Sequence, residues 1–589
     1  MSNSLFEHDF QVDLEPNENT YCTQDIQWQY INDNNQNNYS NGYINWTNLN
    51  LGNGSVNKMY SFSNAYITIP YSIVLYGDGT IFKFKAGDPV NANAACLKSS
   101  ACIVDWVSSK FDGCQLTRSS YHNHLMMNEK LKTYNTDKFK IYGDILGHVW
   151  DNGHSIDYIH PGIGELNNNI LNITTANVFG LDPSNMTNPA HLQRCMKNNI
   201  DISRKGNSSL NTFLCKDDAS ASTSLRDNEH QNALVFSDVN TLVFQGVATI
   251  PLSQLHSVFE KMPTMSSVQG FELRLQCNMA RENTYSMTYL GIASTSDTLT
   301  YPTAVNTIQS IGKCCPVMIS SPSGTGITGM RINGTQAING VLNVKCMIGW
   351  NVDINGVGFK GTTGPPCRIH LPTLSFTSDY LKDIANAPQY SLKYNDYYAD
   401  TELNVKQGSS VSRLFNTNLT RPRILYIIPF LAQSNITDVA IPANTRIYPS
   451  SLTSPLSSSP ITCTPARLRN FNIQIGGQNI FSEPQQFNYS FYNSNAMSII
   501  SDINGNSPKS ALFSGQISKS QWENGYNVYY CNLEKVSDII TDSTMKAFQL
   551  TYTVEGNNDF VLYDMYYIIS YENELNLDRL TGKITGINQ

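Results

Sequence analysis

The last quarter of the chain alternates apolar and polar residues, and this pattern constrains the fold most strongly. Residues 548–555 follow a strict period of two, and residues 560–571 are almost continuously apolar and aromatic, with a turn at 556–559 between them. Alternation indicates a strand with one buried face, whereas a continuous apolar run indicates a strand covered on both faces. Residues 467–475 also alternate, and a Gly476-Gly477 turn follows them. Because no catalytic motif interrupts these strands, we expect the protein to act through its shape.

The composition supports an all-β class with long loops. Charged residues make up only 15% of the 589 residues, against roughly 25% in an average protein, and the 32 tyrosines favour strands. The length suits two or three domains. A formal net charge of −8 argues against a general nucleic-acid-binding surface, because neutralising phosphates requires an excess of basic residues. We therefore expect no sequence-specific nucleic-acid partner.

Membrane and secretory features are not expected. No apolar run approaches the ~20 residues of a membrane span, and residues 1–14 are acidic and polar, unlike a signal peptide. Thirteen cysteines without regular spacing then predict free thiols in a reducing compartment.

Segments of the C-terminal third, in order, resemble the second jelly roll of double jelly-roll major capsid proteins. These segments are residues 471–477, 479–481, 491–492, 515–518 with Trp522, 529–533, 546–550, 571–575 and 578–582. Further patches resemble the first jelly roll and the entry to the second. They are residues 66–70, 248–252 with Phe259, 271–278 and 423–430. The order and spacing are most similar to capsid proteins of virophages, Polinton-like viruses and adintoviruses.

This resemblance implies two tandem eight-stranded jelly-roll sandwiches with long loop insertions and a few short helices. It implies a major capsid protein whose homotrimers form pseudo-hexameric capsomers, which tile an icosahedral shell around a double-stranded DNA genome. The implied location is the virion, after assembly in the host cytoplasm or nucleus. The implied partners are further copies of the chain, a single jelly-roll penton protein and minor or cement proteins. No enzymatic activity, catalytic residue, cofactor or metal is implied.

The sequence divides into five regions. Residues 1–55 are polar, and we predict an N-terminal arm that orders against neighbouring subunits, with Trp28, Tyr30, Tyr43 and Trp46 as interface anchors. Residues 56–376 are predicted to hold the first jelly roll, with insertions at about 78–240 and 295–365. Residues 377–420 are the predicted connector, 421–577 the second jelly roll, and 578–589 a C-terminal tail.

Several residue clusters could form functional sites, and the alternative for each cluster is a packed or solvated loop. Three histidines at 148, 154 and 160 with two aspartates offer ligands for a divalent metal, but their spacing fits no common site. His122 and His124 form a second such cluster. Residues 351–356 resemble the opening of an EF-hand loop, yet Thr362 stands where the closing Glu belongs. We expect a turn there. Mildly basic stretches at 130–140 and 413–423 are predicted to be solvated faces, with packaged DNA as the alternative.

Two other function classes remain open at this stage. A lectin-like or host-attachment β-sandwich would share the strands and loops but would bind sugar without high-order assembly. An enzyme on a β-sandwich scaffold would rest on the histidine-rich loop alone. The chain is long enough for two sandwiches, and its segments resemble those of capsid proteins in the same order. Both features favour the structural protein over the two alternatives.

Overall fold

The computed structural model shows a chain built mainly of antiparallel strands. It describes residues 23–39, 41–52, 58–77, 82–83, 95–97, 99–117, 122–133, 141–143, 145–147, 233–236, 241–278, 284–292, 304–310, 317–319, 331–332, 337–349, 353–354, 357–358, 365–415, 419, 421–431, 466–494, 519, 522, 529–533, 547–556 and 562–588.

The described strands fall into two consecutive groups. The first group is β1 (Thr23–Asn32), β2 (Tyr43–Gly52), β3 (Lys58–Tyr60), β4 (Tyr66–Gly77), β5 (Phe82–Lys83), β6 (Ala95–Leu97), β7 (Val104–Phe111), β8 (Cys114–Gln115), β9 (Ala233–Phe236), β10 (Thr241–Pro251), β11 (Ser267–Cys277), β12 (Thr284–Ile292), β13 (Ala304–Ser310), β14 (Val317–Ile319), β15 (Arg331–Ile332), β16 (Ala337–Ile348), β17 (Asp353–Ile354), β18 (Val357–Gly358) and β19 (Arg368–Phe376). The second group is β20 (Gln389–Lys406), β21 (Ser410–Phe415), β22 (Pro422–Leu431), β23 (Leu468–Ile475), β24 (Gln478–Asn479), β25 (Tyr529–Asn532), β26 (Phe548–Val554), β27 (Leu562–Asp578) and β28 (Lys583–Asn588).

Short α-helices accompany the strands. Among them are α1 (Asn123–Thr133), α2 (Leu252–Leu255), α3 (Ser257–Lys261) and α4 (Ser378–Asn386), and a 3-10 turn spans Ser100–Cys102. Residues 141–143 and 489–494 are also helical. Among the helices that the structure describes, none is both long and apolar enough to cross a membrane.

Eight strands of the first group form a sandwich of two sheets. One sheet has the order β1-β19-β4-β10, and the other has the order β2-β11-β7-β8. When these eight strands are counted in chain order, the neighbours in one sheet are the first, eighth, third and sixth strands. The neighbours in the other sheet are the second, seventh, fourth and fifth strands. Side chains from both sheets meet in one core, for example Ile67 and Ile369 from one sheet with Leu273 and Val107 from the other.

The second group repeats the same order without an exception. One sheet is β20-β27-β22-β25 and the other is β21-β26-β23-β24, which again reads first-eighth-third-sixth and second-seventh-fourth-fifth. Eight antiparallel strands wound in this order into two facing sheets are a jelly roll. The all-β class and the two tandem jelly-roll sandwiches predicted from the sequence are therefore confirmed.

The C-terminal periodicity is realised as predicted. In β26, Phe548, Leu550 and Tyr552 point into the core of the second sandwich. The neighbouring β27 is buried along both faces because α1, which comes from the first half of the chain, packs Leu125 and Met126 into the same cluster. A strand covered on both sides needs apolar residues at consecutive positions, and this accounts for the unbroken apolar run.

Strand pairing corrects the predicted division of the chain at four places. The predicted arm, 1–55, contains β1 and β2; the predicted insertion, 78–240, contains β7 and β8; and the predicted connector, 377–420, contains β20 and β21. The predicted tail, 578–589, contains β28, which pairs with β27. Among these strands, the edge strands β20 and β21 escape periodicity analysis because polar residues such as Lys393 and Ser412 occupy their exposed positions. The described strands place the division between the sandwiches at α4.

The described parts of the insertion at 295–365 extend the first sandwich. β16 pairs with the second half of β4, beyond the point where β19 ends, and β12 and β13 continue the sheet outward from β16. Within the EF-hand-like pattern, Asp353 pairs with Gly358 and Ile354 pairs with Val357 in an antiparallel ladder.

Candidate functional surfaces

The two sandwiches are joined by a buried polar contact. His256 Nε2 lies 3.2 Å from Asp396 Oδ1, and neither residue is exposed to solvent. His256 follows α2, and its Nδ1 accepts a hydrogen bond from the Val258 amide at 3.2 Å, which caps α3. Because Nδ1 accepts, the ring proton is on Nε2 and is donated to Asp396. One imidazole thus caps a helix of the first sandwich and binds a strand of the second.

Asp396 receives further donors from its own sandwich. Its Oδ2 accepts from Tyr571 Oη at 3.0 Å and from Asn573 Nδ2 at 3.4 Å, and its Oδ1 accepts from the Tyr397 amide at 2.8 Å. A buried carboxylate is tolerated only when such donors replace its hydration. His256 and Asp396 are 140 positions apart in the chain, so no sequence motif indicates that they meet.

Other contacts extend this junction over a broad surface. Tyr394 Oη donates to Leu116 O at 2.6 Å, Arg579 Nη2 donates to Thr264 Oγ1 at 2.8 Å, and the Ile584 amide donates to Asp112 Oδ2 at 3.2 Å. Apolar side chains of the second sandwich also belong to the core of the first. They are Leu392, Tyr394, Leu575 and Leu577. The junction is therefore continuous with the cores of both sandwiches.

His122 and His124 flank a buried carboxylate at the start of α1. Their Nδ1 atoms each lie 3.3 Å from Asp105 Oδ1, and all three residues are buried. Burial opposes ionisation of Asp105, but the two imidazoles outweigh it and hold the pKa of this carboxyl well below its usual range. His122 also packs edge-on against Tyr566 of the second sandwich, with ring centroids 4.9 Å apart. In the part of the chain that the structure describes, neither this cluster nor any other group of three or more His, Cys, Asp or Glu is arranged to hold a metal ion. The geometry instead supports a role in orienting α1.

The first strand presents an apolar stripe to solvent. Ile26, Trp28 and Tyr30 are 54%, 54% and 61% exposed, while the alternate residue Ile31 packs on the core. Neighbouring rings continue the stripe across the sheet. Trp28 lies 5.5 Å from Tyr66, Tyr66 stacks on His370 at 4.6 Å, and the Arg368 guanidinium lies 4.7 Å above the Tyr30 ring.

The four predicted interface anchors separate into two kinds. Trp28 and Tyr30 lie in this stripe, and Tyr43 is 39% exposed on β2. Trp46 is fully buried, and its Nε1 donates to Ile31 O at 3.3 Å, so its prediction as an exposed anchor was wrong. It follows Ile44 at a spacing of two on the core face of β2, a relation visible only once residues 43–52 are known to be a strand.

The described arginines of the basic stretch 413–423 contact carboxylates, and the described Lys130 of the stretch 130–140 is buried rather than solvated. Arg413 contacts Asp400 at 2.8 Å, and Arg421 and Arg423 both contact Glu572. Lys130 is buried and lies 5.1 Å from the centre of the Tyr397 ring. These pairings disfavour phosphate binding by the same cations.

Some candidate sites fall outside the described residues. They are the histidine-rich segment 148–160 and Thr362.

Comparison with known proteins gives structural neighbours at low sequence identity. No family profile and no curated protein matches the sequence. The cryo-EM structure of the Sputnik virophage aligns with 98% of this chain and 92% of its own at 13% identity and a TM-score of 0.44. The mavirus major capsid protein aligns with 98% and 94% at 10% identity and a TM-score of 0.43, and the Faustovirus major capsid protein with 95% and 92% at 9% and 0.41. The chain has a double jelly-roll fold. The double jelly-roll fold that the sequence resemblance implied is therefore confirmed.

Proposed function

We propose that the chain is the major capsid subunit of an icosahedral double-stranded DNA virus, and that three copies close into a pseudo-hexameric capsomer. The observation that carries this proposal is an asymmetry between two equivalent strands. β1 and β20 are each the first strand of a jelly roll and each lie beside the last strand, β19 and β27. Among the residues that the structure describes, only β20 is covered on its free side by another part of the chain.

The free edge of β20 is covered by the first sandwich. Ser257 Oγ in α3 accepts from the Asn395 amide at 3.1 Å and also donates to the Asn395 carbonyl. On the adjoining outer face, Tyr397 is 6% exposed, under Lys130 of α1 and with its ring 5.5 Å from that of His256. An exposed strand edge is a template for association, so covering it with another element removes that hazard.

No described residue covers the equivalent edge of β1 in this way. Among the described strands, β1 pairs only with β19, and its outer face carries the exposed stripe of Ile26, Trp28 and Tyr30. Contiguous exposed apolar surface of this kind is typical of interaction sites. If another copy covers β1 as the first sandwich covers β20, each sandwich of the assembly has the same kind of neighbour.

Repetition of this contact produces a closed ring. Each copy contributes two sandwiches of the same strand order, so three copies present six similar lobes around one axis. Such a heterologous interface leaves no unmatched edge when the rotation between copies closes the ring. Obligate interfaces of this kind bury about 2,000 Å² or more. A ring of six lobes tiles positions of local sixfold symmetry in a shell with a single gene product.

The remaining parts of the proposal follow from this role. The protein resides in the virion shell, is assembled in the host cytoplasm or nucleus, and has no enzymatic function. A single jelly-roll penton protein at the fivefold vertices and minor or cement proteins between capsomers complete the set of partners. The paired arginines and the net charge of −8 support a shell that encloses the genome without reading its sequence.

Native mass and particle shape test the proposal directly. Light scattering on the purified full-length protein is expected to give three times 65.7 kDa, and negative-stain images are expected to show hexagonal outlines or closed shells. A well-folded monomer at micromolar concentration that does not assemble in any salt or pH would contradict it. That result would favour the lectin-like or host-attachment alternative.

A further inference from the structure

A polar cavity of about 360 Å³ opens on the outer face of the first sandwich, away from the β1 stripe. Its lining is rich in amides and aromatic rings: Asn35, Asn38, Asn41, Tyr43, Asn45, Trp106 and Arg274. Its size falls within the ~300–1,000 Å³ typical of small-molecule sites. The shell-forming role makes no use of it.

Strand register explains why these side chains converge. Gln276 of β11 pairs with Tyr43 on one side and with Trp106 on the other, so the two rings flank it in one row across three strands. Arg274 pairs with Asn45, which places those two side chains in the next row on the same face. The alternate residues, among them Ile44 and Leu275, are fully buried in the core. Because alternate side chains of a strand point to opposite faces, the lining row faces outward.

The loop between β1 and β2 forms the wall of the cavity and is held by its own hydrogen bonds. Asn35 Nδ2 donates to Tyr43 O at 2.8 Å, Asn35 Oδ1 accepts from the Asn45 amide at 2.8 Å, and Asn34 Oδ1 accepts from the Thr47 amide at 2.9 Å. Asn37 and Gly42 occupy left-handed conformations, with φ of 63° and 73°, which asparagine and glycine tolerate best. The cavity is therefore preformed, which lowers the entropic cost of binding.

The chemistry of the lining indicates the ligand. Amide side chains donate and accept together, which suits vicinal hydroxyls, and aromatic faces carry a negative quadrupole that attracts polarised C–H groups. The lining contains one cation, Arg274, and its Nη2 lies 3.7 Å from Glu272 Oε2, so its charge is partly neutralised. A highly charged anion such as a phosphate is thereby disfavoured relative to an uncharged, hydroxyl-rich ring.

We infer that this cavity binds a neutral pyranose sugar, either free or as one residue of a glycan. The ring stacks on an aromatic side chain, Tyr43 or Trp106, and its hydroxyls exchange hydrogen bonds with the asparagine amides and Arg274. This inference does not depend on trimer formation, so the two can fail separately.

Saturation-transfer NMR with a panel of methyl pyranosides, including hexoses, pentoses and N-acetylhexosamines, tests the site on the full-length protein. At least one methyl glycoside is expected to bind with a millimolar Kd, and Tyr43→Ala is expected to weaken it at least about fivefold. Arg274→Met, which keeps the aliphatic stem of an exposed side chain, is expected to weaken binding about threefold. Tyr390→Ala is the matched control, since Tyr390 and Tyr43 are both 39% exposed and lie on different sandwiches.

Two results would overturn the inference: no binding of any glycoside up to about 50 mM, or equal binding by wild type and both cavity variants. Melting temperatures of all variants establish that each is folded. Immobilised cell-surface glycans, used as a separate probe, then distinguish a glycan residue from a free sugar as the ligand.

Discussion

His256 and Asp396 come from different jelly rolls, yet their side chains meet at 3.2 Å with neither exposed to solvent. The contact is linked on one side to the cap of α3 and on the other to Tyr571 and Asn573. It is the centre of a junction that makes the two sandwiches a single building unit. A shell subunit needs such a unit, because flexible lobes would not present a fixed curvature to their neighbours.

Removing the imidazole is expected to weaken the junction between the sandwiches. His256→Ala leaves Asp396 buried with one donor fewer and removes the α3 cap, so we expect a loss of about 3 kcal/mol of unfolding free energy. Differential scanning calorimetry should show a melting temperature below that of the wild type. His370→Ala removes a histidine from the outer face instead and is expected to cost less than about 1 kcal/mol. A His256→Ala protein that melts like the wild type would contradict the role of this contact.

Asp105 should contribute stability with a defined pH dependence. Its pKa in the folded state is held below the usual 3.8, so its contribution is fully present above about pH 5 and is lost as the pH falls below 3.8 toward the folded pKa. We expect Asp105→Asn to be less stable than the wild type at pH 7. The difference in unfolding free energy between the two proteins should shrink as the pH falls below 4. Urea midpoints measured at several pH values check this. A difference that grows on acidification would show that the sign is wrong.

The β1 stripe should control assembly without controlling folding. Replacing Trp28 and Tyr30 together by serine removes two exposed aromatic anchors, and we expect the trimer to dissociate at concentrations at least about 100-fold higher than for the wild type. Sedimentation velocity over a concentration series measures this. Leu403→Ser alters a side chain that is 60% exposed on the second sandwich and serves as the control. Unchanged dissociation of the Trp28/Tyr30 variant would exclude this face as the interface.

Gly582 should be required by the close approach of the two sandwiches. Its φ is 66°, and a Cβ at this position would lie 2.3 Å from Ser267 O, a backbone atom of the first sandwich. Gly582→Ala is therefore expected to cost more than about 2 kcal/mol, from left-handed strain plus the displacement of β11. Gly477→Ala isolates the strain, because Gly477 has a φ of 86° with no atom within 4 Å, and about 1 kcal/mol is expected. Equal thermal shifts for the two variants would contradict the proposed backbone clash.

Strand content was the part of this protein most accessible from its sequence. In β26 and β27, side-chain alternation and apolar continuity report directly on which faces are covered, and both strands occur where the pattern placed them. The same reasoning failed for β2, β20 and β21, where outward positions carry Asn, Lys and Ser beside a few apolar residues, and for β1, whose outward residues Ile26, Trp28 and Tyr30 are apolar. A polar strand edge and a polar arm have the same composition, so only pairing with β19 or β27 distinguishes them.

The sequence by itself determined the all-β class, the two-lobe length and the tyrosine-rich strands, because these depend on local periodicity and composition. The tertiary structure alone decided which strands are neighbours, that Trp46 is buried while Trp28 is exposed, and that His256 meets Asp396. It also decided that, among the described residues, β20 is covered by the first sandwich and β1 is left uncovered. These relations join residues far apart along the chain, and their free energy arises only when both partners are already held in place by the fold.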